Sequence, residues 1–332
     1  MDGESWESVL PGMFRSAGID PRAGMVVRPL TGGVSSDIVH IRFADGRDFA
    51  AKRALAKLKV AMDWEAPVER NHYEVAWLKR AAKIVPGGAP AVVAESDEHG
   101  IVVLDYLPPD DFVLWKAEML KGRADPAIPP RVASLLGRIH AATLNDPAVA
   151  AEFPTDHLID ALRLDPYLRT TAKRHPDLAE RILAVVATTA STKLALVHGD
   201  VSPKNILVSK IDGHPVLLDA ETAWYGDPAF DAAFLLNHLL LKSLHMPAIG
   251  AELKRQANEL FTIWVGHFPE DLRTGLEQRT AALLPCLFLA RVDGKSPVEY
   301  LAEDNRQRVR DIARPLIVNP VNTIPAVIEA VR

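Results

Sequence analysis

A polar loop between two short apolar runs constrains this chain more than any other stretch. Asp200 and Asn205 lie in the loop, and Asp219 ends the second run. Turn-forming residues separate positions 206–209 from 216–218, which predicts a β-hairpin. Because a hairpin folds its strands back on one another, we expect Asn205 and Asp219 to lie close together, beside Asp200.

These three side chains suit phosphoryl transfer. In that reaction one carboxylate orients the attacking hydroxyl and accepts its proton, while oxygen ligands hold Mg²⁺ on the nucleotide phosphates. The same residue types are also common in ordinary surface turns. Both interpretations are open from the loop alone, and the rest of the chain decides between them.

His198-Gly199-Asp200, followed by Asn205 and then Asp219, resembles the catalytic core of the aminoglycoside phosphotransferase and choline kinase family. Members of that family are protein-kinase-like enzymes that act on small molecules. The resemblance implies an α+β, bilobal fold, with a small antiparallel sheet and one main helix before a mostly helical lobe. It also implies ATP or GTP as the phosphoryl donor, Asp200 as the catalytic base, and Asn205 and Asp219 as Mg²⁺ ligands.

The N-terminal part of the chain predicts a meander of strands. Apolar alternation and turn signals place three strands at 25–30, 38–43 and 49–53. Between the first two strands lie small and hydroxylated residues, namely Gly32, Gly33, Ser35 and Ser36. Small residues let backbone N–H groups approach phosphates, and hydroxyls add donors. We therefore predict that this turn covers the nucleotide phosphates; a flexible hairpin tip is the alternative.

Lys52 lies in the third strand. By the resemblance, the lysine at this place holds the α- and β-phosphates and pairs with a helix glutamate. A helix is predicted over 68–83, and three acids are candidates for the partner: Glu65, Glu69 and Glu74. Glu74 lies one turn before Leu78 on the inward face, whereas Glu69 is roughly 140° away around the helix. We therefore predict a pair between Lys52 and Glu74.

Two further strands, predicted at 91–95 and 101–106, complete the first lobe, and the pattern then breaks. This break predicts two domains, a nucleotide-binding lobe at 1–106 and an acceptor-binding lobe at 107–332. The resemblance implies that backbone groups near Asp105 and Leu107 contact the adenine edge. Residues 107–195 are predicted to be helical, and later helices are predicted at 230–245, 252–266, 275–291 and 298–312.

Glu221 follows Asp219 by two residues. In an extended segment alternate side chains point the same way, so Glu221 is predicted as a third metal ligand. A solvated loop acid is the alternative. The Asp-x-Glu pattern, followed by Tyr225-Gly226, is similar to methylthioribose kinases within the family. The glycine turn departs from that subfamily, so the pattern leaves the acceptor open.

Other polar residues near the loop are predicted to be structural. Asp231, by the resemblance, opens a helix and braces the catalytic loop, and His198 is interpreted as a loop-bracing residue rather than the base. Trp224 and Tyr225 could wall an acceptor site or simply pack in the interior.

Composition excludes several classes of protein. The chain of 332 residues has a net charge of −5, which argues against a nucleic-acid binder. The single cysteine, Cys286, excludes an internal disulfide, and its apolar surroundings predict that it is buried. The acidic N-terminus does not resemble a signal peptide, and no apolar run reaches about 18 residues. We expect a cytoplasmic protein with neither membrane nor nucleic-acid partners.

The spacing after Asp219 predicts the type of acceptor. Protein kinases need a long activation segment that ends in Ala-Pro-Glu, but here only the eleven positions 220–230 separate Asp219 from Asp231. The sequence therefore predicts an ATP-dependent phosphotransferase that acts on a hydroxyl of a small molecule, such as an aminoglycoside, a sugar or an amino alcohol. A methylthioribose-kinase-like sugar kinase, a protein kinase and a non-catalytic nucleotide-binding relative are the alternatives.

Overall fold

A computed structural model describes residues 5–30, 35–57, 59 and 66–331. The chain divides into two compact units, Met1–Asp111 and Phe112–Arg332. The sequence placed the boundary after residue 106. The difference arises because Phe112 begins a strand whose partners all lie in the second unit.

The first unit is built on a five-stranded antiparallel sheet with the order β1-β2-β3-β5-β4. Its strands are β1 Met25–Leu30, β2 Ser36–Phe43, β3 Asp48–Ala54, β4 Val92–Ser96 and β5 Ile101–Asp105. Two helices accompany the sheet, α1 Trp6–Ser16 and α2 Arg70–Ile84, and a 3₁₀ turn spans Pro21–Ala23. The predicted strands and the main helix are confirmed, with boundaries shifted by one or two residues.

The alternation in β2 explains the core of this unit. Val39, Ile41 and Phe43 are buried on one face, as period-two alternation requires. Phe14 of α1 packs on this face, edge-on to Phe43 with ring centroids 5.0 Å apart. Helix α1 therefore covers the face of the sheet that carries these residues.

The second unit contains two small antiparallel sheets. One has the order β6-β8-β9 and the other pairs β7 with β10. These strands are β6 Phe112–Leu114, β7 Ala195–Val197, β8 Ile206–Ser209, β9 Pro215–Leu217 and β10 Trp224–Gly226. The predicted hairpin is confirmed as β8 and β9. The prediction that 107–195 is entirely helical is wrong at β6, whose strand partner β8 lies far along the chain and leaves no local signal.

The remainder of the second unit is helical. Its helices before the catalytic loop are α3 Trp115–Leu120, α4 Ile128–Ala142, α5 Pro147–Glu152, α6 Asp156–Ile159, a π-helix at Asp160–Arg169, α7 Thr170–Arg174 and α8 Ala179–Ser191. A 3₁₀ turn, Pro203–Asn205, is followed later by α9 Ala229–His245, α10 Pro247–Gly266, α11 Glu270–Asp293, α12 Glu303–Val318 and α13 Ile324–Ala330.

Helix α9 is the centre of this unit. Every residue from Ala229 to Leu244 is buried, and α10 and α11 pack against the helix. A helix that is covered on all sides belongs to the interior of a large domain. Cys286 of α11 is buried as predicted. Helix α12 begins five residues after the predicted start, because Val298 lies in a loop and donates its N–H to the Arg291 carbonyl at 2.8 Å.

Candidate active site

The catalytic loop runs from β7 to β8 and is held by the first turn of α9. Asp231 accepts hydrogen bonds from the N–H groups of His198 and Gly199, both at 2.8 Å. His140 Nε2 also contacts Asp231, at 3.1 Å. Gly199 has φ 79°, and an added Cβ would lie 2.5 Å from the Thr222 carbonyl oxygen. The contacts match the predicted bracing role of Asp231, and the loop needs glycine at position 199.

The His198 ring joins the loop to the segment after β9. Its Nδ1 accepts the Asp200 N–H at 3.2 Å, and its Nε2 lies 3.0 Å from the Leu218 carbonyl oxygen. The Nδ1 acceptor role leaves the ring proton on Nε2, which donates to that carbonyl. Burial lowers the pKa of His198, so the ring is neutral. Both nitrogens are occupied, which agrees with a bracing role.

Asp200 is a buried carboxylate, 2% exposed, with three partners. Arg163 contacts Oδ1 at 3.1 Å, Lys204 Nζ contacts Oδ2 at 3.0 Å, and Asn205 Nδ2 donates to Oδ2 at 2.8 Å. Burial alone would raise the pKa of this carboxyl, but Arg163 and Lys204 together hold the pKa below its usual value. Asp200 is therefore ionised at neutral pH.

Arg163 and Lys204 were not predicted. Arg163 is 6% exposed on the π-helix, and its Nε donates to the Gly199 carbonyl at 2.8 Å. Burial would lower the pKa of Arg163, but Asp200 raises it, with help from Glu221 and Asp219. Arg163 is thus the cation that these three acids share. Its proline-containing segment gave no readable pattern, whereas Lys204, four residues after Asp200, could have been singled out by position.

Asp219 lies where the hairpin returns to the loop. The preceding residue, Leu218, donates its N–H to the Asn205 carbonyl at 2.9 Å, which sets the two segments side by side. Asp219 has φ 67°, a left-handed conformation that costs free energy for a residue other than glycine. Such conformations cluster at functional sites, where the surrounding structure enforces them.

The segment after Asp219 is a turn. The Ala223 N–H donates to the Ala220 carbonyl at 3.0 Å, so Glu221 occupies a turn position. The premise that Asp219 and Glu221 lie on one extended segment is wrong, because the left-handed Asp219 bends the chain. Glu221 is nevertheless buried and close enough to act on Arg163. Its role as a metal ligand remains a prediction.

The residues predicted to bind Mg²⁺ offer a suitable set of donors. The Asn205 side-chain nitrogen donates to the carbonyl and to the carboxylate of Asp200, so the amide oxygen can face a cation. Together with Asp219 and Glu221 this makes one amide oxygen and two carboxylates, and Mg²⁺ on a nucleotide usually takes one or two carboxylates beside phosphate oxygens. Within the described ranges no group of three His, Cys, Asp or Glu residues is arranged to hold a metal by itself.

Lys52 and Glu74 form the predicted ion pair in the first unit. Lys52 Nζ lies 2.9 and 2.8 Å from the two Glu74 oxygens, and both side chains are buried. Among the alternative partners, Glu69 precedes the first turn of α2, and Glu65 lies outside the described residues. The ion pair fixes the position of the Lys52 ammonium, which suits binding of a phosphate.

The predicted phosphate-covering turn is described only at its C-terminal end, because Gly32 and Gly33 lie outside the described residues. Ser35 and Ser36 are buried at the start of β2. Arg70 donates to the Ser35 carbonyl at 2.7 Å and so fixes this end of the turn. The Ser36 hydroxyl is buried without a hydrogen-bond partner in the described part of the chain. Such an orphaned donor could bind a ligand oxygen.

The backbone near the end of β5 limits how an adenine could bind. The Asp105 N–H donates to the Ala91 carbonyl at 3.0 Å, so this N–H is not available to the base. Leu107 follows the strand and is half-buried. Burial raises the pKa of the Asp105 carboxyl. Adenine contacts at Asp105 and Leu107 remain predictions.

Trp224 and Tyr225 are interior packing residues. Both are buried in β10. Trp224 Nε1 donates to Asp156 Oδ1 at 2.5 Å, and the Tyr225 hydroxyl donates to the Leu194 carbonyl at 3.0 Å. Of the two interpretations of these aromatics, the structure supports packing.

Across the described residues, none of the helices has the length and apolar character to cross a membrane. Two solved structures share the fold of this chain. Ethanolamine kinase from Plasmodium vivax has a TM-score of 0.57 at 13% identity, over 93% of this chain and 88% of that one. The macrolide 2′-phosphotransferase from Brachybacterium faecium has a TM-score of 0.51 at 19% identity, over 95% and 99% of the chains. The predicted α+β, protein-kinase-like fold is confirmed.

Sequence comparison gives the family. Methylthioribose kinase from Pectobacterium atrosepticum is 24% identical in an alignment of 249 positions that covers 64% of this chain and 60% of that protein. The chain thus spans less than two thirds of the length of this curated relative. Residues 26–253, more than half of the chain, match the phosphotransferase enzyme family. The resemblance drawn from the loop at Asp200 is confirmed: the chain belongs to the phosphotransferase enzyme family.

Proposed function

We propose that the protein transfers the γ-phosphoryl group of a nucleoside triphosphate to a hydroxyl group of a small molecule. The observation that carries this proposal is the environment of Asp200. A buried carboxylate is kept ionised by two cations, and the chain around it is fixed by Asp231 and His198. An ionised carboxylate in a fixed position can orient an acceptor hydroxyl and accept its proton as phosphoryl transfer proceeds.

The cations beside Asp200 have separate roles in this proposal. Arg163 is buried and tied to the Gly199 carbonyl, so it positions the carboxylate and maintains its charge. The Lys204 side chain is 49% exposed, so its ammonium can also approach the phosphoryl group in transfer and stabilise the charge on its oxygens. Asn205, Asp219 and Glu221 would hold Mg²⁺, which neutralises phosphate charge when it is bound.

The first unit would bind the nucleotide. Lys52, fixed by Glu74, would contact the α- and β-phosphates, and the turn formed by Gly32, Gly33, Ser35 and Ser36 would cover them. The Asp105 carbonyl and the Leu107 N–H would contact the base. ATP and GTP both fit this description. Because nucleoside triphosphates are cytoplasmic metabolites, a cytoplasmic location accompanies the proposal.

A small acceptor is favoured over a protein. Only positions 220–230 separate Asp219 from Asp231, and the structure uses them for a turn, strand β10 and the start of α9. Nothing in this segment could present a peptide. The names of the related proteins, a methylthioribose kinase, an ethanolamine kinase and a macrolide 2′-phosphotransferase, support a small acceptor as well. A sugar like methylthioribose is the second candidate, on the sequence match and on the Asp219-x-Glu221 pattern.

The test combines an acceptor screen with an Asp200→Asn variant. ATP consumption is measured over sugars, amino alcohols, hydroxy acids, aminoglycosides and a generic protein substrate. Asp200→Asn should reduce turnover of the acceptor by about 10²–10⁴-fold, while Mg²⁺–ATP still raises the melting temperature.

The matched control is Asp212→Asn, which changes an exposed acid in the turn of the same hairpin and should leave turnover unaltered. Asp200-dependent labelling of protein, without turnover of any small molecule, would overturn the proposed function.

A further inference from the structure

A group of basic side chains, three of them buried and one partly exposed, lies in the second unit, close to the catalytic loop. It comprises His238 and Lys242 of α9, Arg291 of α11 and Lys116 of α3, and is called the basic cluster below. Lys242 is 1% exposed, and its Nζ lies 4.9 Å from the centre of the Tyr300 ring. No described residue forms an ion pair or hydrogen bond with this ammonium group. Burying a charge without such a partner costs free energy, and a bound anion would offset this cost.

Two further donors, one in the cluster and one beside it, lack a hydrogen-bond partner among the described residues. Arg291 donates through one terminal nitrogen to the Tyr167 hydroxyl at 3.2 Å and to Ser296. Its Nε is buried without a hydrogen-bond partner in the described ranges, as is the Tyr300 hydroxyl. Buried donors are nearly always satisfied in folded proteins. These two unsatisfied donors beside one unpaired ammonium indicate a binding site for a ligand oxygen.

The charges of the cluster do not balance. Lys116 pairs with Glu299 at 2.6 Å, and Glu299 is the acid that acts on Lys242. Burial, with Lys116 and Arg291, lowers the pKa of Lys242 to about 7. Burial, with Lys242 and Arg291, also lowers the pKa of His238. An anion bound here would relieve the repulsion among these cations and restore the charge of Lys242.

The basic cluster is continuous with the site at Asp200. Phe234, His238 and Lys242 follow one another at one-turn intervals along α9, and the Arg163 guanidinium lies 5.8 Å from the Phe234 ring centre. Lys204 is among the cations that act on His238. Tyr167 contacts Arg291 and lies 5.8 Å from the Arg163 guanidinium. The cluster and the catalytic carboxylate are therefore two parts of one region.

This region is not sealed from solvent. The Lys204 side chain is about half exposed, and the Lys116 side chain is partly exposed. Two acids of this region, by contrast, already have cationic partners: Asp200 pairs with Arg163 and Lys204, and Glu299 pairs with Lys116. A cationic acceptor would be repelled by the Lys242 ammonium and by Arg291. An anionic acceptor could instead accept hydrogen bonds from Lys242 Nζ and from Arg291 Nε, which has no hydrogen-bond partner among the described residues.

We propose that the acceptor carries an anionic group, a carboxylate or a phosphate, that binds to Lys242 and Arg291 while its hydroxyl lies at Asp200. The proposal rests on the proposed phosphoryl transfer and narrows its acceptor class. No oxidant or other co-reactant is needed: the acceptor O–P bond forms, the bond to the leaving nucleoside diphosphate breaks, and the hydroxyl proton passes to Asp200.

The experiment compares matched acceptors. Hydroxy acids are assayed beside their neutral amides, and sugar phosphates beside the neutral sugars, so that the two anionic groups are separated. We expect the anionic member of at least one pair to be preferred. Lys242→Met should then lower kcat/KM for that acceptor by about tenfold to a hundredfold, the range for a lost hydrogen bond to a charged group, mainly through KM. The KM for ATP should change less than twofold.

Two further measurements keep the result interpretable. Lys173→Met removes an exposed lysine of the same unit and is the matched control for loss of a positive charge. Sulfate, used as a simple anion, should raise the melting temperature of the parent protein more than that of Lys242→Met. Because the substitution removes an unpaired buried charge, the variant should be at least as stable as the parent protein without anion.

The outcomes separate the two proposals. Turnover of a neutral or cationic acceptor with unchanged kinetics in Lys242→Met would overturn the anionic acceptor and leave the proposed function intact. Failure to bind Mg²⁺–ATP, together with no turnover of any acceptor, would overturn the proposed function and this inference with it.

Discussion

Replacing Arg163 with Met tests whether this arginine controls the ionisation of Asp200. The substitution keeps a long apolar side chain over Tyr167 and Phe234 but removes the guanidinium 3.1 Å from Asp200 Oδ1. At an effective dielectric constant of about 20, two unit charges at this distance interact by about 5 kcal/mol. Breaking a buried ion pair by removing one partner typically costs about 3–5 kcal/mol. Lys204 and Asn205 still contact the carboxylate, so we expect the lower figure.

The assay is denaturant unfolding of the parent protein, Arg163→Met, Asp200→Asn and the double variant. For a chain of this length, a loss of about 3 kcal/mol would lower the melting temperature by about 4 °C. Each single variant leaves one charge of the Arg163–Asp200 pair buried with fewer opposite charges around it, whereas the double variant removes both charges of the pair. The two effects should therefore be less than additive, with a coupling free energy of about 2–3 kcal/mol.

The same variant changes the pH dependence of activity and stability. Arg163 holds the pKa of Asp200 below its usual value, so its removal should shift the acid limb of kcat/KM to higher pH. In the parent protein, the stability that ionised Asp200 contributes is present above about pH 4 and is lost as the pH falls through the lowered pKa. Arg163→Met should lack part of this contribution. Additivity of the two substitutions within about 0.5 kcal/mol, with no shift of the acid limb, would refute the assigned role.

Three further predictions concern the other predicted site residues. Lys52→Met should raise the KM for ATP or lower kcat while the protein stays folded, as followed by steady-state kinetics and circular dichroism. Asp219→Ala should weaken Mg²⁺-dependent nucleotide binding more than Asn205→Ala, because a carboxylate is the stronger ligand of a hard cation; titration calorimetry with and without Mg²⁺ measures both, and Glu221→Ala tests whether the turn acid contributes. Asp231→Ala should cost about 2–4 kcal/mol of unfolding free energy, because two loop N–H groups lose a charged acceptor, with thermal denaturation as the readout.

Each of these predictions has an opposing result. Unchanged kinetic constants in Lys52→Met would show that the lysine has no part in nucleotide binding. Equal Mg²⁺ dependence in the Asp219 and Asn205 variants would remove Asp219 as the main ligand. An Asp231→Ala protein as stable as the parent would show that the loop does not depend on the first turn of α9.

The parts of the structure that could be predicted are those with local signals. The hairpin β8–β9 follows from two apolar runs around a turn, and burial of Val39, Ile41 and Phe43 follows from alternation. The family resemblance implied that Lys52 pairs with a helix glutamate, and helical periodicity selected Glu74 among three acids, because the inward face of a helix is set by residues three and four positions apart. The boundary near residue 106 follows from a change in pattern, although the pairing of β6 with β8 moves it to Asp111.

The parts that could not be predicted depend on distant contacts or on one backbone angle. Arg163 reaches Asp200 only because a π-helix carries it there, and the proline at position 166 conceals any regular periodicity in that segment. Strand β6 has no partner nearby in the sequence. The prediction of an extended segment from Asp219 to Glu221 was wrong because of one residue. The left-handed backbone of Asp219 has no signal in the sequence.

The left-handed backbone at Asp219 has a consequence for how variation at this position would be observed. Glycine at this position would stabilise the folded protein by relieving roughly 1–2 kcal/mol of backbone strain. It would also destabilise the folded protein by about 0.5–1 kcal/mol, because glycine gives the unfolded chain more conformational freedom. Cellular abundance of an Asp219→Gly protein should thus equal or exceed that of the parent protein, even though its carboxylate is gone. A mutational survey scored by protein abundance would record position 219 as tolerant, and one scored by growth that requires the enzyme to form its product would record it as intolerant. A variant that is abundant but inactive would show that the aspartate at position 219 is needed for activity although it destabilises the folded protein. Neither survey alone would show this.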